Sequence, residues 1–167
     1  METERRYIKM KHFLRQYEAG EKDFAEVTIG STVLSGLDLR EINLSNSSLI
    51  GIDMSNINLS RANLSGAKML GVNLTNADLS HTNLRGVDLS GADCIGTDFS
   101  HADLDYAVLS GAIFDGANFY GSEMDNAILV ASDFTGAKNF NGPGEGSFFR
   151  RTFVTEDNFI EGPNWLE

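Results

Sequence analysis

The chain has 167 residues and a mass of 18.2 kDa, the length of one domain with room for a continuous core. Charged residues make up 22% of it, prolines number two, and no stretch nears the ~20 apolar residues of a membrane span, so disorder, a collagen-like repeat and a transmembrane helix are not indicated. The net charge of −11 argues against direct binding to nucleic-acid phosphates.

The N-terminus, METERRYIKMKHF, is charged where a signal peptide is apolar, and the single cysteine, Cys94, allows no internal disulfide. Both features predict a soluble cytoplasmic protein. From Thr3 to Ala19, Tyr7, Met10, Leu14 and Tyr17 recur at helical spacing with Phe13 beside them, and Gly20 offers a stop. Residues 1–20 are therefore read as an amphipathic capping helix. Arg5, Arg6, Lys9, Lys11 and Arg15 are nearly cancelled by Glu2, Glu4, Glu18, Glu21 and Asp23, which favours a cap over a membrane or nucleic-acid contact.

A period of five follows, in units such as Ala62-Asn63-Leu64-Ser65-Gly66 and Ala77-Asp78-Leu79-Ser80. Taking the central residue of each unit as its centre, 23 centres run from Phe24 to Phe134 without slippage, and all but Cys94 are Leu, Phe, Met or Ile. Two residues before the centre the side chain is usually small or compact. One residue before it stands Asp or Asn in 15 of 23 units, and Ser is commonest one residue after it. Polar residues flanking an apolar centre give the alternation of short strands. Two residues after the centre stand eleven Gly, four Asn and two His (His81, His101), the types that best tolerate positive φ. Eleven glycines at about 1 kcal/mol each exclude a helix; a coiled, all-β solenoid satisfies both signals.

These units resemble the A(D/N)LXX consensus of pentapeptide-repeat proteins over about two-thirds of the chain, and the long uninterrupted runs are similar to the cyanobacterial members. The resemblance implies a right-handed quadrilateral β-helix in which four pentapeptides make one square coil of twenty residues. Residues 21–138 then form about six coils, stacked at roughly 4.8 Å into a shaft about 25 to 30 Å long. Read at a spacing of twenty, the interior columns begin at Phe24, Ile29, Leu34 and Leu39, with aromatic residues gathering toward the C-terminal half.

After Phe134 the register decays: Asn139 falls where a centre is due, and Asn141 to Gly146 reads as a turn or loop. Residues 139–167 are read as a loop and a C-terminal capping segment. Phe148, Phe149, Phe153, Val154, Phe159, Ile160 and Trp165 make it too apolar for a free tail, so it is expected to cover the last coil or join a second subunit. A monomer, or a homodimer through an end cap, follows.

The residues carry no catalytic constellation, and no enzyme, metal or cofactor is predicted. His81 and His101 share a column with Glu41 and Arg61, but both suit a turn, and no third ligand is evident. Serines fall at repeat positions, and glycines at a spacing of five never produce a phosphate-binding loop. Two outer surfaces stand out. Ile50 and Leu70 sit one residue after the centre on consecutive coils of one face, with Lys68 on the same face and Val108, Ile128 and Val130 further along. Exposed apolar residues on a polar repeat mark a candidate contact surface for a protein partner. The second surface is acidic. Between Phe24 and Phe134 there are 14 acids and four bases, with Asp38, Asp78 and Asp98 in one column and Asp88, Asp93, Asp103 and Asp105 on the middle coils. The expected function is a non-catalytic, regulatory or scaffolding protein-interaction module. The family resemblance implies an alternative, an acidic DNA mimic that inhibits a type II topoisomerase or another DNA-binding protein.

Overall fold

Two local devices bend the chain every five residues. All fifteen Asp and Asn residues that precede a centre accept a hydrogen bond through Oδ1 from the backbone N–H two residues on, as Asp78 does from Ser80 at 2.9 Å. Three residues after each such acceptor the backbone enters the left-handed region, in Glu41, Arg61 and Tyr106 as well as in the glycines. In the computed structural model, which describes residues 6–30, 33–155 and 158–160, every described residue at that position from Glu26 to Gly136 has positive φ.

The turns bring equivalent residues of successive coils side by side. Parallel bridges join residues twenty apart, from Asp23↔Asn43 and Asn43↔Asn63 through Val108↔Ile128 to Asp133↔Phe153. A period of twenty built from units of five places four pentapeptides in each coil. Backbone bonds run between coils throughout, for example from Leu84 N to Asp103 O at 2.8 Å and from Asp103 N to Thr82 O at 3.1 Å.

All 23 centres are buried, and between Ile42 and Ala117 every residue two before a centre is buried as well. The interior is a single apolar cluster, with Phe99 stacked on Phe119 at 5.2 Å and Phe114 on Phe134 at 4.6 Å. Where a described polar residue is buried in this layer, its hydroxyl reaches the coil before it. Thr82 donates to Leu59 O, Thr97 to Leu74 O and Ser132 to Leu109 O, all at 2.8 to 2.9 Å.

At the N-terminal end, strand β1 (Arg6–Ile8) pairs in parallel with β2 (Val27–Ile29), and helix α1 covers Met10–Glu18. The helix expected over 3–19 is thus shortened from its start, because Ile8 is buried in the core as a strand residue opposite Ile29. Lys9 is extended, at φ −74° and ψ 139°, before the helix begins. Phe13, fully buried, meets Phe24 with ring centroids 4.7 Å apart, and Gly20 turns the chain away at φ 94°.

At the other end the pairing at a spacing of twenty continues beyond Phe134. Strand β3 (Ile128–Val130) pairs in parallel with β4 (Phe148–Arg150), and β5 (Thr152–Thr155) forms an antiparallel pair with β6 (Asn158–Ile160). Asn139 does not take the place of a centre. It stands exposed at φ 56°, and Phe140 packs on the core in its stead, 4.0 Å from Phe134 and 5.6 Å from Phe119. Trp165, assigned to the same closing segment, lies outside the described residues.

Candidate interaction surfaces

The residues singled out for partner binding fall on one side of the coils, in two groups. Ile50, half-exposed, and Leu70 follow their centres on consecutive coils. Lys68 projects beside them, bridged through its backbone to Ser48 and Asp88, and its ammonium forms no ion pair with any described residue. Asp88, Ser90 and Ser110 interrupt the apolar surface. Beyond them Val108 and Ile128 are bridge partners, with Val130 two residues further along β3.

The structure adds residues that the sequence reading did not place on this surface. Phe148, paired with Ile128, extends the second group to a third coil and is 41% exposed. Around the next corner Ile95, Ile113 and Phe153 are also exposed; Ile95 and Ile113 line a shallow hollow with Asp115, Asp133, Thr135 and Val154. An apolar residue adjoining a centre is the signal that locates them all, and it becomes visible for Phe148 and Phe153 once the period is carried past Asn139.

The acidic residues divide by role. Asp38, Asp78, Asp88, Asp93, Asp98 and Asp103 all precede a centre and all accept the turn hydrogen bond, at 2.9 to 3.4 Å. Asn performs the same task at Asn58 and Asn118, which complete the column of Asp38, Asp78 and Asp98. Hydrogen bonding from the Arg40 guanidinium lowers the Asp38 carboxyl below the usual range, and the backbone N–H of Ser55 does the same for Asp53. Asp105 follows its centre and accepts from Asp125 N at 2.8 Å. Asp103, Asp105 and Glu123 bring carboxylate oxygens within 4.8 Å of one another, and Arg85 already supplies a cation there, 2.7 Å from Asp105.

Candidate chemical groups have structural work. His81 and His101 each adopt φ 57° and stack with ring centroids 4.8 Å apart, as two turn residues in one column. Cys94 is fully buried, and burial drives its thiol far above the usual range, so it stays protonated at neutral pH.

A parallel ladder of pentapeptides with a filled apolar interior defines a repeat protein. The chain belongs to the pentapeptide repeat family: the family profile "Pentapeptide repeats (8 copies)" matches overlapping stretches from residues 23–61 to 102–138. Among solved structures, it is similar to a pentapeptide repeat protein from Nostoc PCC 7120, with 24% identity over 89% of this chain and 100% of that one and a TM-score of 0.32. A pentapeptide repeat protein from the Arabidopsis thaliana thylakoid lumen is 36% identical over 65% of this chain and 68% of its own, with a TM-score of 0.27. QnrB1, a plasmid-mediated fluoroquinolone resistance protein, is 19% identical over 74% of this chain and 79% of its own, with a TM-score of 0.41. No curated protein matches the sequence. Among the described residues no helix is long and apolar enough to cross a membrane.

Proposed function

We propose that this protein is a non-catalytic, cytoplasmic protein-interaction module, regulatory or scaffolding, which binds a protein partner through one side of its coils. The observation that carries this reading is the exposure of Ile50, Ile128 and Phe148 on one side of the coils, interrupted only at Asp88, Ser90 and Ser110 between the two apolar groups. Ile50, Leu70, Val108, Ile128 and Val130 supply apolar contact, and Lys68 supplies a cation for an acidic group of the partner. The scaffold is a right-handed, four-sided β-helix: residues 1–20 cap its start, 21–138 form the shaft and 139–167 close its end. Packing of Phe13 on Phe24 supports the cap.

The acidic columns support a second reading, a DNA mimic that occupies a type II topoisomerase or another DNA-binding protein. It ranks lower because six of the seven acids concerned hold turns that Asn holds equally well elsewhere. Affinity isolation from the native source with wild type beside an Ile50→Asp/Leu70→Asp variant separates the readings, after equal β-rich circular dichroism confirms both folds. The first reading expects a partner held by wild type and lost by the variant. Equal retention, with binding instead abolished by about 0.5 M salt, favours the acidic surface.

A further inference from the structure

Pro143 and Gly144 fall where the seventh coil should lay a strand over Met124. Pro143 has no N–H to give, and Gly144, in the position of a centre, has no side chain to continue the column of Leu84, Leu104 and Met124. Gly144 runs so close to the coil beneath that a Cβ on it would lie 2.8 Å from Asp125 N. Two inter-coil bonds that form one coil earlier are missing, those that the carbonyls of Phe140 and Pro143 would accept. His101 N donates to Tyr120 O and Leu104 N to Glu123 O, but the equivalent amides of Gly121 and Met124 donate to no described residue. They border a hollow of about 360 Å³ that has Phe119, Met124 and Phe140 among its walls and Glu123 and Asp125 at its side.

From these features we infer that the hollow is a second recognition site, which takes a short extended segment of a protein partner carrying an arginine or a lysine. The chemistry is complementary at three points. Carbonyls of the segment accept from the amides of Gly121 and Met124, in place of the carbonyls of Phe140 and Pro143. The apolar stem of the basic side chain lies along the half-buried Phe140. Its cationic head meets Glu123 and Asp125; the Asp125 amide donates to Asp105 Oδ1, and the Asp125 carboxylate is held by the backbone N–H of Glu145. This inference rests on the reading of the chain as an interaction module, but it uses the end of the shaft and none of the lateral residues.

The test is a titration of the full-length, 15N-labelled protein with the capped peptide Gly-Ser-Arg-Ser-Gly and with the same peptide carrying neutral citrulline. Saturable shifts at the Gly121 and Met124 amides are expected, with at least about ten-fold weaker binding of the citrulline peptide. Glu123→Gln, whose wild-type carboxylate forms no ion pair with a described residue, keeps the fold and weakens the arginine peptide several-fold. Absence of saturation up to about 5 mM, equal binding of both peptides, or shifts confined to other faces overturns the proposal. The Ile50→Asp/Leu70→Asp variant binds the peptide like wild type, so failure of the hollow and failure of the lateral face are read separately.

Discussion

Phe140 stacks on Phe134 with centroids 4.0 Å apart and planes at 12°, one residue later than the period of five places a centre. The chain slips once, exposing Asn139 and keeping the aromatic column unbroken. Phe140→Ala is expected to lower stability by about 2 to 3 kcal/mol, less than the ~3–5 kcal/mol of a fully enclosed phenylalanine because Phe140 is only half-buried. Asn139→Leu brings no gain, since its side chain does not enter the core. Urea denaturation of both variants checks this pair of outcomes.

The same slip shows where the sequence is legible and where it is not. Twenty-three centres, the glycine turns and the spacing of twenty are visible in the chain because each obeys a local rule repeated many times. Phe140 is not, because one residue of offset costs nothing in composition while it removes the periodic signal. For the same reason the pairing of Phe148 with Ile128 lies beyond the apparent end of the repeat. Ile50, Leu70, Val108, Ile128 and Val130 could be placed on one side from the register alone. The hollow beside Met124 could not, because it arises from how Pro143 and Gly144 leave the coil.

The fifteen Asp and Asn residues that precede a centre act as acceptors, whether the side chain is charged or neutral. Asp78→Asn should therefore stay within about 0.5 kcal/mol of wild type, whereas Asp78→Ala loses the bond from Ser80 N and about 1 kcal/mol. For Asp53 the folded carboxyl titrates lower than the unfolded one, so its contribution is present above the ordinary carboxylate range of about 4 and is lost as pH falls through the folded value. Asp53→Asn accordingly narrows the difference in stability between pH 7 and pH 3. Thermal unfolding at the two pH values measures it.

Positive φ is obligatory two residues after each centre, and its cost depends on the residue there. Ala131 holds φ 57°, so Ala131→Gly relieves about 1 to 2 kcal/mol of strain against a smaller loss in chain entropy, a net gain of about 0.5 to 1 kcal/mol. Gly91→Ala incurs the strain alone, because a Cβ there meets nothing within 4 Å. Gly121→Ala costs more, since its Cβ would stand 2.7 Å from His101 Nδ1. Denaturation midpoints are expected in the order Ala131→Gly, wild type, Gly91→Ala, Gly121→Ala.

On the proposed function, the side bearing Ile50 meets a protein partner while the side bearing Ser100 faces solvent. A photo-crosslinking amino acid placed at Ile50 or at Ser100, in full-length protein expressed in its native source, reports this directly. A discrete crosslinked species is expected from position 50, absent from position 100 and abolished by Leu70→Asp. Equal crosslinking from both positions, or a species from position 50 that survives Leu70→Asp, contradicts it.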